Sequence, residues 1–361
     1  MKYITLIEAL TNAKGAPGFE DEVIDVLKEY KGSYTLQKDN LKNAYLNLDQ
    51  KNFELPTVMI DSHLDEVALM VRAIDDNGLL AIQTLGGWVP STISAQQFLV
   101  RNREGEYLKG ICITKPIHFM TQEERQKNIE IKDLKIDIGA TSREEVIQVF
   151  NIEVGQPIVP STQFSYNEKN GVMLAKAFDN RIGAAVALAV MKELEEELES
   201  LPFHLVADFA AQEEVGLRGA TVAAKRIQPD LAIVLEGTPS DDFTGPLSTL
   251  QAQLGKGPQI RHRDSSYIAN EDLIALFSQV AEKESIPVQH AVREGGGTNA
   301  GAIHLSNLGV PVATIGVPSR YVHTNASFCS YHDFEHTVQL LVSFLRGLKE
   351  EDFKRFELTK L

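Results

Sequence analysis

Five short stretches of this sequence carry His or carboxylate side chains that could meet around metal ions. Most follow apolar runs typical of strands: VMIDSHLD at 58–65, FHLVADFAAQEE at 203–214, LAIVLEG at 231–237 and VATIGVPSRYVH at 312–323. Ligand sites in open α/β sheets lie beyond the carboxyl ends of the strands, and His and carboxylates that converge there can bind two divalent cations. The candidate residues are His63, Asp65, Asp179, Glu213, Glu214, Glu236 and His323. The pattern predicts a dinuclear metallohydrolase.

Each candidate also has an ordinary structural explanation. Asp179 precedes a long helical segment and could simply cap it. His63 and Asp65 lie two residues apart on extended backbone, so Asp65 could orient the imidazole, or both could be exposed at a strand end. The pair Glu213–Glu214 is harder to explain, because it interrupts a run that looks buried and unpaired buried charge is costly. One of these glutamates could bind a cation while the other takes a proton from water.

The segments that must position these residues show two different sequence patterns. Residues 1–67 and 164–361 alternate helical patterns with buried, β-branched strands, which is typical of an α/β domain. Residues 68–163 instead contain short strand-like runs separated by Gly or Asp-Asn-Gly, with a helix predicted after Ser142. We therefore predict an α/β domain interrupted by a small, β-barrel-like insertion, with boundaries at 67/68 and 163/164.

Composition excludes several classes of protein. The net charge of −15 disfavours nucleic acid as a partner, and no apolar stretch is long enough to span a membrane. The apolar run at the N-terminus is too short for a signal peptide and contains Glu8. With only Cys112 and Cys329 present, a disulfide framework is not expected, and a cytoplasmic location is.

Taken together, the motifs resemble one family. The stretches SHLDEVALMV, LGGW, DIGATSREE, AKAFDNRIG, QEEVGLRGA, LGKGP, GGGTNAGAIH and VPSRYVH occur in order between about residues 16 and 323. They are similar to those of the glutamyl-aminopeptidase and tetrahedral (TET) aminopeptidases, dinuclear metallo-aminopeptidases that are also labelled cellulase M or endoglucanase.

The resemblance implies a mixed-sheet α/β/α peptidase domain with an inserted β dimerisation domain, and dimers that assemble into a homododecamer. It implies peptide substrates and two divalent ions, zinc or cobalt with manganese as a further candidate. His63 and Glu236 would bind one ion, Glu214 and His323 the other, and Asp179 both. Glu213 would act as the general base, and Asp65 would hold His63. The residues that bind the substrate side chain are not predicted.

Two positions depart from the usual family pattern. Glu236 stands where many relatives carry Asp, and Asn299 replaces the Asp of GGGTDA, which removes a charge near the site. Two alternatives to the peptidase stay open. One is a metal-independent glycoside hydrolase, which needs two carboxylates flanking the scissile bond. The other is a catalytically inactive assembly subunit with the same fold.

Overall fold

In the computed structural model, residues 1–50, 54–113, 115–126, 128–244, 246 and 249–355 are described. The strands there are β1 (Leu36–Lys38), β2 (Ala44–Leu46), β3 (Thr57–His63), β4 (Ala68–Ile74), β5 (Leu80–Leu85), β6 (Gln97–Arg101), β7 (Tyr107–Ile113), β8 (Lys135–Asp137), β9 (Pro157–Pro160), β10 (Ser165–Asn167), β11 (Val172–Ala175), β12 (His204–Ala210), β13 (Leu231–Pro239), β14 (Gln259–Arg263), β15 (Gln289–Val292), β16 (Val312–Arg320) and β17 (Ser327–Ser330). The helices are α1 (Ile4–Asn12), α2 (Asp21–Tyr30), α3 (Pro90–Ile93), α4 (Gln122–Gln126), α5 (Arg143–Gln148), α6 (Phe178–Leu194), α7 (Arg218–Ile227), α8 (Glu271–Lys283), α9 (Ala300–Ile303), α10 (Tyr331–Gly347) and α11 (Glu350–Phe353). None of these helices is long and apolar enough to cross a membrane.

An eleven-stranded mixed sheet forms the larger part of the molecule, in the order β1-β2-β12-β3-β13-β16-β17-β11-β10, with β14 and β15 branching from β16. Its centre is parallel, because β3 pairs in parallel with both β12 and β13, and β13 with β16. Strand β3 is buried along its whole length, and its apolar run at 58–60 is followed by the buried polar residues Asp61, Ser62 and His63. The apolar helix α6 packs on this central part of the sheet.

The second part is a closed antiparallel barrel of six strands in the order β4-β5-β8-β7-β6-β9. It has an apolar core of its own, built from residues such as Val71, Phe98 and Ile136. The predicted helix after Ser142 is α5, and the Ser142 side chain accepts the amide hydrogen of Glu145. The mixed α/β fold with a separate barrel confirms the predicted fold class. The boundaries at 67/68 and 163/164 stay a prediction.

Strand register brings the candidate residues to one edge of the sheet. His63 pairs with Ala210, so Glu213 and Glu214 follow just beyond the end of β12. The pair Val234–Asp61 places Glu236 level with His63, two residues further along each strand. Glu236 therefore lies inside β13, which continues to Pro239, and not at a strand end as its apolar run suggested.

Candidate active site

Asp179 connects the two histidines of the cluster. Its Oδ1 lies 3.1 Å from Nε2 of His63, and its Oδ2 lies 3.4 Å from Nε2 of His323. The backbone of Asp179 and Asn180 is not helical although both lie within α6, and the peptide bond between them is cis. The Asn180 side chain accepts the amide hydrogen of Gly183, so Asn180 caps the helix and the Asp179 carboxylate is left to face the imidazoles.

Both imidazoles are turned so that Nε2 faces the carboxylates. Nδ1 of His63 lies 3.0 Å from the Asp65 carbonyl oxygen, and Nδ1 of His323 lies 2.8 Å from the Gly87 carbonyl oxygen. Because a carbonyl can only accept, each Nδ1 carries the donated hydrogen and each Nε2 keeps a lone pair when the ring is neutral. Gly87 belongs to the LGGW motif between β5 and α3, so the inserted segment orients one of the two histidines.

Asp65 acts mainly on the glutamate pair. Its Oδ1 accepts the amide hydrogen of Glu213 at 2.9 Å, and its Oδ2 accepts that of Glu214 at 3.1 Å. The Asp65 carboxylate is 3.6 Å from Nδ1 of His63, further than the Asp65 carbonyl. The sequence predicts that Asp65 holds His63, whereas nothing in it indicates the backbone hydrogen bonds by which Asp65 fixes the Glu213–Glu214 turn.

The remaining carboxylates complete a buried acidic cluster. Glu236 Oε2 is 3.9 Å and Glu213 Oε2 3.8 Å from Nε2 of His63, whereas Glu214 Oε2 is 3.4 Å from Nε2 of His323. In the described part of the chain, three groups of ligand atoms are close enough to hold a cation: His63, Asp179 and Glu236; Asp179, Glu214 and His323; and His63, Glu213 and Glu214. Gly237 allows β13 to pack closely against the start of α6, because a Cβ at Gly237 would lie 2.5 Å from the Phe178 carbonyl oxygen.

Burial and crowding shift the pKa values of the cluster. Burial raises the pKa of Glu213 to about 7, and it raises the pKa of Glu214 and Glu236 well above the ordinary range. Burial alone would lower the pKa of His323, but the hydrogen bond to Asp179 and the charge of Glu214 raise it to about 9. The crowded glutamate side chains of the cluster thus favour the protonated form, and a bound cation would relieve the same repulsion between their negative charges.

These side chains line a cavity of about 730 Å³. Of the basic residues near the family motifs, Arg261 and Arg293 line it, whereas Lys256, Arg263 and Arg320 do not. The cavity is also lined by Phe243 and Tyr321, which the sequence reasoning missed because nothing local sets these aromatic residues apart. Asn299 lies outside the cavity, is buried, and donates to Asp61 at 2.9 Å, so it is not placed to contact substrate.

The sequence pattern of the M42 glutamyl aminopeptidases matches residues 43–340. The chain belongs to the M42 glutamyl aminopeptidase family. It is therefore an aminopeptidase, a hydrolase of a metal-dependent peptidase family. The glutamyl aminopeptidase of Lactococcus lactis is 32% identical over 356 residues, which cover 97% of this chain and 98% of that protein.

Solved structures of TET peptidases have a similar architecture over nearly the whole chain. A TET aminopeptidase from a marine-sediment archaeon of the Thaumarchaeota is similar with a TM-score of 0.93 and 35% identity, covering 99% of this chain and 100% of the other. The TET1 peptidase of Pyrococcus horikoshii, described as able to assemble into a tetrahedron or a large octahedral shell, is similar with a TM-score of 0.84 and 27% identity, over 96% and 99% of the two chains.

Proposed function

We propose that this M42 peptidase hydrolyses N-terminal residues from peptides at a dinuclear metal site, with Glu213 as the general base. The observation that carries the proposal is the position of Asp179, whose two carboxylate oxygens each face a different imidazole. A bridging carboxylate needs this arrangement. His63 and Glu236 would complete one cation site, and Glu214 and His323 the other.

The donor set suits divalent cations. Glu214 Oε1 and Glu236 Oε1 are buried and have no hydrogen-bond partner within the described residues, which is costly unless a cation meets them. The Glu236 side chain is one methylene longer than the Asp usual in relatives, and its carboxylate still lies in the cluster, with Oε2 3.9 Å from Nε2 of His63. Zinc and cobalt both suit His and carboxylate ligands, and manganese is a further candidate. Bound cations would polarise the scissile carbonyl and lower the pKa of the attacking water.

Glu213 is placed to move the proton. Its carboxylate is buried beside His63, its pKa is raised to about 7, and its backbone amide is anchored on Asp65. A base with a pKa near neutrality can take a proton on Oε2 from the attacking water and pass it to the amine nitrogen that leaves. Asp65 contributes by fixing the turn from which both Glu213 and Glu214 project.

Two arginines line the cavity, each paired with one aspartate, and we call them the cationic wall (Arg261 and Arg293). Arg261 donates to Asp264 and Thr238, and Arg293 donates to Asp241 and to the Pro239 carbonyl. Nε of Arg293 is buried without a partner in the described part of the chain. We assign this wall to the N-terminal side chain of the substrate and expect an acidic residue there, as the name of the Lactococcus relative also suggests.

A homo-oligomer is part of the proposal, with peptides as substrates. The Pyrococcus relative can assemble into a tetrahedron or a large octahedral shell, and a dodecamer built from dimers is the form expected here. Cys112 and Cys329 are both free and buried, which agrees with the proposed cytoplasmic location.

The test is hydrolysis of aminoacyl p-nitroanilides of Glu, Asp, Leu, Lys and Ala by metal-stripped enzyme, with zinc, cobalt or manganese added back. We expect cleavage only after a cation is restored, and fastest cleavage of the Glu or Asp substrate. Cleavage of carboxymethylcellulose that survives a chelator would instead support the glycoside hydrolase. Cation binding without turnover of any peptide would support the inactive assembly subunit.

A further inference from the structure

Two aromatic rings face each other at the mouth of the active-site cavity. The centroids of Phe243 and Tyr321 lie 4.9 Å apart with the ring planes tilted by 54°, and the two residues are 51% and 42% exposed. Both line the same cavity as Asp179 and His323. An apolar surface held open to water in a substrate cavity is informative, because covering it with an apolar group is favourable.

A charged pair holds the two rings in place. Arg320 donates from Nε to Asp242 Oδ1 at 2.9 Å and from Nη2 to Asp242 Oδ2 at 2.7 Å. Asp242 directly precedes Phe243 and Arg320 directly precedes Tyr321, so this bidentate pair joins the two segments that carry the rings. Leu254 donates its amide hydrogen to the same carboxylate. The aromatic pair is thus ordered before any ligand arrives, which lowers the entropy lost on binding.

Tyr321 and Arg261 adjoin different parts of the acidic cluster, whereas Arg293 bonds to Asp241, two residues before Phe243. Tyr321 is two residues from His323, and both have positive φ, 63° and 62°, in the tight turn that follows β16. Arg261 lies close enough to Glu236 to affect the pKa of that carboxyl, and it bonds to Thr238 on the same strand. A peptide with its scissile bond at the cluster would present one of its first two side chains to Arg261 and the other to Tyr321.

We propose that the Phe243–Tyr321 pair binds the side chain of the second residue of the peptide and selects substrates in which that residue is apolar or aromatic. This inference rests on the proposed aminopeptidase function and on the assignment of the cationic wall to the first residue. The substrate class it names is a peptide that begins with an acidic residue followed by Phe, Leu or a similar side chain.

The experiment measures kcat/KM for the amides Glu-Phe, Glu-Leu, Glu-Ala and Glu-Gly with metal-loaded enzyme. For the wild type we expect Glu-Phe to exceed Glu-Gly about 10- to 50-fold, from apolar burial and ring contacts. Phe243→Ala and Tyr321→Ala should each lower that ratio at least fivefold. The matched control is Phe328→Leu. Phe328 packs against Tyr321 with centroids 6.3 Å apart but does not line the cavity, so the ratio should stay within about twofold of the wild type.

Different outcomes separate the two proposals. If the wild type cleaves all four amides with similar kcat/KM, or if the alanine variants slow all four equally, the aromatic site is wrong while the aminopeptidase stands. A lower assembly mass in the alanine variants, measured by light scattering, with an unchanged ratio would place the rings at a subunit contact and also overturn the inference. If no Glu amide is cleaved although another aminoacyl p-nitroanilide is, the cationic wall is wrongly assigned and the aromatic site falls with it, while the aminopeptidase stands. No cleavage in either series with any cation would overturn both proposals.

Discussion

Glu213 and Glu214 are adjacent in sequence, yet their carboxylates have different surroundings. Glu214 Oε2 faces His323, within the group that also contains Asp179, whereas Glu213 Oε2 is 3.8 Å from His63 and belongs to neither of the groups that contain Asp179. This difference is the physical reason to assign proton transfer to Glu213 and cation binding to Glu214.

We expect Glu213→Gln to lower kcat by about 10²- to 10⁴-fold, because the amide keeps the shape of the side chain but cannot accept the proton. Cation content, measured by plasma mass spectrometry, should equal that of the wild type, since Glu213 is not a proposed ligand. An exposed glutamate, Glu199, supplies the control as Glu199→Gln. Wild-type turnover in Glu213→Gln would remove the residue from the mechanism.

A second carboxyl pair is buried behind the site. Asp61 on β3 lies opposite Asp208 on β12, and neither is exposed. Burial and the charge of Asp61 raise the pKa of Asp208 well above its usual range, while burial raises that of Asp61 to about 6. The folded protein therefore keeps a proton on Asp208 that the unfolded chain loses above about pH 4.

Because the folded state binds more protons, the free energy of unfolding should fall as pH rises, by up to about 1.4 kcal/mol per pH unit for one proton. Asp208→Asn removes this proton and should flatten the dependence above about pH 4, where the aspartate of the unfolded chain is ionised. Urea unfolding of wild type, Asp208→Asn and the exposed control Asp25→Asn at three pH values measures it. Parallel curves for wild type and Asp208→Asn would show that Asp208 is ionised in the folded protein.

At the level of elements, one buried carboxylate joins the N-terminal segment to the loop after β3. Glu66 Oε1 accepts from Lys176 Nζ at 2.6 Å, from Arg181 Nη2 at 3.2 Å and from the Gly15 amide at 3.1 Å. Arg181 also donates to the Leu64 carbonyl at 2.6 Å, and this hydrogen bond links α6 to the loop that follows His63. All three charged side chains are fully buried.

Glu66→Gln should destabilise the protein by about 3–5 kcal/mol, because it leaves two buried cations without a counter-charge. Lys176→Met should lower the free energy of unfolding by clearly less than Glu66→Gln does. Glu66 and Arg181 would remain paired, and burial already lowers the pKa of Lys176 to about 8. Chemical unfolding of both variants gives the comparison. Equal losses would mean that packing, and not charge pairing, sets the stability of this region.

Strand-like runs in the sequence were sufficient to predict where β3, β12 and β16 bring His63, Glu213 and His323. The apolar run before Glu236 suggests a strand end, but β13 continues to Pro239 because it stays paired with β16, a partner distant in sequence. The carbonyl partners of the histidines and the bidentate Arg320–Asp242 pair also depend on long-range packing. Periodicity predicts which residues form an element but not which polar groups it meets.

At the scale of the whole molecule, the barrel carries exposed apolar residues that its own core does not use. Ile117 and Phe119, in a single 3₁₀ turn after β7, are 58% and 71% exposed, and Ile111 on β7 is 50% exposed. The barrel is the part of the chain predicted to form the dimer. An apolar surface on it is the kind of patch that a second copy would cover.

If the barrel forms the dimer, a charge at its exposed turn should disrupt assembly. Phe119→Asp would bury an unpaired carboxylate in the contact, so we expect size-exclusion chromatography with light scattering to show a smaller particle. Leu308→Asp is the matched comparison, because Leu308 is 87% exposed but lies outside the barrel, before β16. A smaller particle for Leu308→Asp and not for Phe119→Asp would indicate that the dimer contact lies in the peptidase domain and not in the barrel. Because His323 is oriented by Gly87, from the inserted segment, the same Phe119 variant also tests whether assembly affects turnover.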